Sequence, residues 1–362
     1  MDARAATLAR AARLKAMFEA AGAKPVDPAV LQPAHLLLEL YGEDIRARAY
    51  VTSDAVRGEL MLRPDFTVPV VQMHMAGGAD PARYTYAGEV FRRQEVDPSR
   101  ASEFVQVGYE VFDRENPAAA DAEVFALISH GVSDLKGLRA ATGDIGILMA
   151  AVDGLETSPA RKAALMRHIW RPRRFRGLLE RYSGRSPVPP ARAALLAGAA
   201  ADDAPAIGLR SREEVEARIE TLRADAATPP LSGLTLSALG ALLAVRETMP
   251  FALERLRDIA IDLPAITPAL DRLEARIAAL RARGVNVDKL DFEASYGRTS
   301  MEYYDGFVFG FYAEGRPDLP AVASGGRYDA LTRILGQGAE IPAVGGIIRP
   351  GLMVDLGAAR WA

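Results

Sequence analysis

The sequence predicts an α+β protein: an antiparallel sheet flanked by helices, assembled from both ends of the chain and interrupted by a helical insertion. Three observations carry this. Val, Tyr, Phe and Thr concentrate in residues 59–113 and again in 287–353, with Gly, Asp or Pro between runs. Between about 152 and 284 Ala, Leu, Arg and Glu recur at helical spacing, cut by proline clusters at 186–190 and 228–230. No stretch reaches the ~18 consecutive apolar residues of a membrane span. With 362 residues, 49% of them apolar, the chain can bury a large core in two compact units. The expected division is a core of 1–151 and 285–362 with an insertion at 152–284.

Taken in order, residues 6–21 place Leu8, Ala12, Leu14, Met17 and Phe18 at helical spacing, and Gly22 supplies a stop. Lys24-Pro25-Val26-Asp27-Pro28 is expected to be extended, because a residue preceding proline is pushed out of the helical region. Leu36 to Leu40 reads as helix. Segments 59–73, 83–94 and 102–113 read as strands, at least two of them antiparallel neighbours. Segment 121–138 puts Val124, Leu127, Ile128, Val132 and Leu135 on one helical face, with Asp121 and Glu123 near its positive N-terminal end. The run 143–151 reads as a short buried strand, and 287–298, 304–315 and 344–353 as further strands around a turn-rich 323–329.

Composition excludes several classes of function. Lys+Arg 44 against Asp+Glu 47 gives a formal net charge of −3, which argues against affinity won by neutralising a phosphate backbone. A count of zero cysteines removes disulfides, thiolate catalysis and iron–sulfur clusters. His35, His74, His130 and His168 lie far apart, so no metal site is expected. The N-terminal segment mixes Arg with Asp and Glu and has no apolar core of a signal peptide, so a cytoplasmic protein is expected. No run fits a P-loop, a GxGxxG turn or a GxSxG elbow, and no cofactor is expected.

What remains is a polar set inside apolar strands: Arg63, Asp65 and Thr67; Glu89, Arg92 and Arg93; Glu103, Gln106 and Glu110; Tyr303, Tyr304 and Arg327. Arginine beside carboxylates and amides can grip a zwitterionic amino acid or an adenylate. The same set can also be a satisfied polar network on a half-exposed sheet, and Tyr303 and Tyr304 can be core aromatics.

The wording of these segments resembles the histidyl-tRNA synthetases, class II synthetases, over nearly the whole chain. Leu62-Arg63-Pro64-Asp65-Phe66-Thr67 is similar to their LRPEGT segment. Gly88-Glu89-Val90-Phe91-Arg92 followed by Glu103-Phe104-Val105-Gln106-Val107-Gly108-Tyr109-Glu110 is similar to motif 2, and Ser324-Gly325-Gly326-Arg327-Tyr328-Asp329 to the GGRYD turn. The resemblance implies a six-stranded antiparallel sheet and a homodimer formed near Pro25–Pro28. It implies that Arg92 lies where the synthetases grip the adenylate phosphate, and Asp65, Gln106 and Glu110 where they grip the histidine ammonium.

The chain departs from that pattern at two cations. Where the synthetases carry an arginine before Gly-Leu-Asp-Tyr-Tyr, it reads Thr299-Ser300-Met301-Glu302-Tyr303-Tyr304, so Thr299 holds the catalytic arginine's position. Arg298 is one residue away, and in an extended stretch that offset turns a side chain to the opposite face. Motif 3 should end in Gly-Leu-Glu-Arg, and Leu352 holds that arginine's place. Losing one charge that stabilises a developing polyphosphate transition state costs roughly 3 kcal/mol, so losing two implies no useful adenylation. The sequence ends shortly after motif 3, so the synthetases' anticodon-binding domain is expected to be missing.

This pattern resembles a paralogous family, the regulatory subunits of ATP phosphoribosyltransferase. That resemblance implies a chain without catalytic residues that serves histidine biosynthesis. Its expected partners are a short-form ATP phosphoribosyltransferase catalytic subunit, a second copy of itself and histidine as feedback effector, with no tRNA and no membrane. The expected ligand pocket comprises Asp65, Thr67, Arg92, Gln106, Glu110, Tyr303, Tyr304 and Arg327. The alternative is a truncated synthetase-like ligase that still forms an aminoacyl adenylate.

Overall fold

Asp2 accepts a hydrogen bond from the Arg4 amide and so caps the first helix, Ala3–Ala20. The helix buries Ala11, Leu14 and Phe18, and Phe18 meets Tyr109 with ring centroids 5.2 Å apart. Gly22, at φ +96°, turns the chain out of the helix. The next residues are extended as expected: Lys24–Pro25 pairs in parallel with Tyr84 and Thr85 at one sheet edge. The structure, a computed structural model, describes residues 2–41, 45–94, 100–198, 208–298 and 303–358.

Six antiparallel strands form the centre of a larger sheet, in the order Ala82–Phe91, Glu103–Phe112, Ala343–Ile348, Ala323–Arg327, Phe307–Ala313 and Leu138–Asp144. The resemblance implied this sheet. Lys24–Pro25 and Asp291–Glu293 extend it in parallel, and Arg246–Thr248, from within the insertion, adds an antiparallel edge. Leu31–Pro33, Gly58–Leu62 and Val51–Asp54 form a separate three-stranded sheet.

Four expected strands are shorter than their apolar runs. Segment 59–73 is strand only to Leu62, then becomes the helix Thr67–Met75. Segment 143–151 is helical from Ile145 to Asp153, because Asp144 caps it by accepting from the Gly146 amide at 2.9 Å. In 344–353 the strand stops at Ile348, and Pro350 opens the helix Pro350–Ala358. Only Asp291–Glu293 of 287–298 is strand. A short buried helix and a short buried strand carry the same continuous apolar signature, so the cap decides between them.

Helix Pro117–Gly131 lies under the sheet, where Phe125 packs on Phe307, Phe309 and Phe311. Beside it runs Thr267–Ala282, which was expected to close the insertion. Its buried Arg276 donates from Nε to Asp121 at 2.7 Å and from Nη1 to Asp144 at 2.8 Å. This last helix is therefore packed into the core, and the boundary expected at 284 does not mark a break in packing. Of the earlier insertion helices, Pro159–Arg167, Pro172–Tyr182, Gly233–Leu243 and Met249–Ile259 bury Leu165, Phe175, Leu239 and Leu256 respectively, whereas Pro190–Leu196 and Arg212–Ala227 bury no residue.

Candidate functional site

Alternation along a strand sends successive side chains to opposite faces of the sheet. Phe307, Phe309 and Phe311 face the helices, so the partners of the intervening residues define the other face. On that face the register places Glu110 between Tyr84 and Gly345, Gly108 between Tyr86 and Ile347, and Gln106 opposite Gly88. The glycines open space for large neighbours. A Cβ on Gly345 would lie 1.4 Å from Glu110 Oε2, and one on Gly108 would lie 2.1 Å from the Tyr86 ring.

Glu110 is the centre of the site, 1% exposed and held by three hydroxyls. Tyr86 donates to Oε1 at 2.7 Å, Thr67 to the same oxygen at 3.2 Å, and Tyr328 to Oε2 at 2.5 Å. Burial pushes the Glu110 carboxyl up to about 7, against the pull of those donors. Burial also raises the Tyr86 and Tyr328 phenols, with the nearby Glu110 charge adding to it, so they remain neutral donors. Asp65 is buried on the turn before helix Thr67–Met75 and accepts from the Val68 amide at 3.3 Å. Phe66 stacks on Tyr86 at 4.2 Å and fixes that turn against the sheet.

Gln106 is also 1% exposed, yet neither atom of its amide has a hydrogen-bond partner among the described residues. Such a group is costly unless something else satisfies it. Arg92 leaves the end of its strand, donates from Nε to the Pro64 carbonyl at 2.8 Å and holds its guanidinium 5.6 Å from the Phe104 ring centroid. Tyr304 is buried and the half-buried Tyr303 meets it edge-on at 4.9 Å, while Tyr303 also approaches Tyr328 at 6.1 Å.

The structure thus gathers Asp65, Thr67, Gln106, Glu110, Tyr303 and Tyr304 on one face, with Arg92 at its rim. Arg327 does not join them. It pairs in register with Val344 on the helix face, where it binds Asp121 at 2.7 Å, Asp329 at 2.9 Å and the Pro117 carbonyl at 2.8 Å. Its expected place in the pocket is corrected by alternation: Gly326 faces the pocket, so its neighbour faces away. Glu110 also differs from expectation, because its oxygens accept from the chain's own hydroxyls. Arg63, from the same polar set, is structural: it donates to the carbonyls of Glu89 at 2.9 Å and Pro28 at 2.5 Å and lies over Phe66.

Sequence reasoning missed Tyr86 and Tyr328 as site residues. The available signal was period-two spacing: Tyr86 stands two residues before Gly88, and Tyr328 two after Gly326. Thr299 lies outside the described residues. Arg298 donates to the Ile169 carbonyl at 2.7 Å and sits 4.8 Å from the Phe175 ring, so it points into the insertion. Leu352, on helix Pro350–Ala358, presents an apolar side chain where an ATP-binding arginine was sought.

A central antiparallel sheet with a polar niche at Glu110 and Gln106 defines a protein of the histidyl-tRNA synthetase class. A family model described as histidyl-tRNA synthetase matches residues 1–204 and 209–350. Among solved structures, the chain is similar to an ATP phosphoribosyltransferase regulatory subunit/histidyl-tRNA synthetase from Bacillus halodurans. The TM-score is 0.70 at 20% identity, covering 98% of this chain and 79% of that one. It is also similar to a histidine–tRNA ligase subunit from Alicyclobacillus acidocaldarius, with TM-score 0.61 at 23% identity over 99% and 94% of the two chains. These likenesses establish the fold. Closer in sequence are ATP phosphoribosyltransferase regulatory subunits of Brucella anthropi, 32% identical over 92% of this chain and 93% of the relative, and of Allorhizobium ampelinum, 33% identical over 91% and 92%. The chain belongs to the ATP phosphoribosyltransferase regulatory subunit family, and it is not the catalytic subunit of that enzyme.

Proposed function

We propose that this chain binds and activates a separate, short-form ATP phosphoribosyltransferase catalytic subunit in the first step of histidine biosynthesis, and passes histidine's feedback signal to it. The observation that carries the reading is the pairing of a retained polar niche, whose buried Gln106 amide has no hydrogen-bond partner among the described residues, with an apolar Leu352 in place of a phosphate-binding arginine. Such a site can hold an amino acid without activating it. Asp65, Thr67, Arg92, Gln106, Glu110, Tyr303 and Tyr304 are its proposed lining. Glu110 serves there chiefly to fix Thr67, Tyr86 and Tyr328, because those hydroxyls already occupy it.

In the same reading the chain works in the cytoplasm as a homodimer built through its synthetase-like core, with a protein partner in place of tRNA. The net charge of −3 supports the last point, and no described helix is long and apolar enough to cross a membrane. Histidine's signal is a coupling free energy between subunits, typically about 1–3 kcal/mol. Calorimetric titration of histidine into the chain, alone and with the catalytic subunit, tests the effector reading; binding in either mixture is expected, and silence in both overturns it. Histidine-dependent exchange of pyrophosphate into ATP would instead revive the ligase alternative.

A further inference from the structure

The strand Ala343–Ile348 ends in a second arginine that neither the sequence motifs nor the Glu110 clamp uses. Ile348 pairs with Val107, so the ladder carried one residue further sets Arg349 opposite Gln106, on the face that bears Glu110. The backbone amide of Arg349 donates to the Val322 carbonyl at 2.8 Å, and its Nη1 donates to the Ala321 carbonyl, which anchors the head of the side chain. Arg92 reaches the same region from the other side of strand Glu103–Phe112. Its amide donates to the Ser102 carbonyl at 2.8 Å, which extends the ladder between Ala82–Phe91 and Glu103–Phe112 and sets it on the face of Phe104 and Gln106.

Neither guanidinium has a carboxylate partner among the described residues. Each is held by a carbonyl instead, Pro64 for Arg92 and Ala321 for Arg349. Burial first, and then the Arg92 charge, pull the Arg349 guanidinium down to about 10. Two like charges that feel one another on a face that also carries the Gln106 amide, without a partner among the described residues, make a setting in which an oxyanion can pair with either guanidinium and accept from the amide.

We propose that Arg92 and Arg349, together with the Gln106 amide on the same face, form a two-arginine oxyanion site that takes the carboxylate or phosphate of a small ligand. Arg349 is the specificity-determining member. It restores at the end of this strand a cation that Leu352 does not supply, three residues earlier and without a neighbouring acid. The inference rests on the effector-pocket reading only where the oxyanion belongs to histidine; a free phosphate is the other source of the same chemistry.

The test is calorimetric titration of the full chain with four probes: histidine, histidinol, which lacks the carboxylate, inorganic phosphate and pyrophosphate. The Arg349→Met and Arg349→Lys variants are titrated beside the unmodified chain, with circular dichroism to verify folding. The expected result is that a probe carrying an oxyanion binds, that Arg349→Met weakens it at least about tenfold, and that Arg349→Lys recovers part of the loss. Pyrophosphate or phosphate binding that depends on Arg349, with no histidine binding, supports the oxyanion site and removes histidine from this pocket. Histidine and histidinol binding equally, with the same affinity in Arg349→Met, keeps the effector pocket and overturns the oxyanion site. Binding of none of the probes overturns it as well.

Discussion

Arg276 and Asp121 form an ion pair in which both side chains are almost wholly buried, with Nε and Oδ2 2.7 Å apart. The same aspartate accepts from Arg327 at 2.7 Å through its other oxygen, and Arg276 reaches on to Asp144 at 2.8 Å. One helix from each part of the chain and the turn strand Ala323–Arg327 are therefore tied at a single carboxylate. Removing one partner from such a network leaves charges buried without compensation. Asp121→Ala removes the carboxylate that two buried arginines share, leaving Arg276 only Asp144 and Arg327 only Asp329, and is expected to lower stability by about 3–5 kcal/mol. Urea unfolding followed by circular dichroism measures it; a loss under about 1 kcal/mol would show that the cluster is solvated.

Glu110 sets the second expectation. Its carboxyl is raised to about 7 by burial, from an ordinary 4.5, so the folded state holds a proton that the unfolded state releases first. The stabilising contribution is complete below pH 4.5 and is lost as pH rises through about 7, a swing of roughly 3 kcal/mol. Asp305, also raised to about 7 by burial and then by Asp329, adds a term of the same sign. The difference in urea midpoint between the unmodified chain and Glu110→Gln should therefore change steadily from pH 5 to pH 8. A difference that stays flat across that range would mean that Glu110 is ionised throughout.

Two glycines separate packing from backbone propensity. Gly345→Ala drives a methyl into Glu110 Oε2 and breaks the clamp on Tyr328, with an expected cost of about 1–3 kcal/mol. Gly177, in the helix Pro172–Tyr182, has open space where its Cβ would go. Gly177→Ala is expected to stabilise by about 0.5–1 kcal/mol. Thermal melts of both variants check the pair, and equal shifts would remove the packing argument.

The sheet was legible in the sequence because its central strands carry strong period-two or β-branched patterns, and the first helix because its apolar positions recur at helical spacing and a glycine ends it. Segment 143–151 was not, because a continuous apolar run does not reveal its period and only the Asp144 cap makes it a helix. Asp121 and Glu123 read only as acids near a positive helix end. In the fold they are buried, Asp121 between two arginines and Glu123 against Arg83 and Tyr109. Partners 155 and 206 residues away in sequence cannot be read from local pattern. The site followed the same rule. Asp65, Thr67, Gln106 and Glu110 were legible from their motifs, Arg327 was assigned to the wrong face, and Tyr86, Tyr328 and Arg349 required the register.

The central claim is that this chain acts on a catalytic partner and not on a substrate of its own. It is tested most directly by the initial rate of phosphoribosyl-ATP synthesis from ATP and phosphoribosyl pyrophosphate by a purified short-form catalytic subunit, measured without the chain, with it, and with it plus histidine. The rate is expected to rise when the chain is added and to fall again with histidine. A rate unchanged by the chain at any ratio would contradict it.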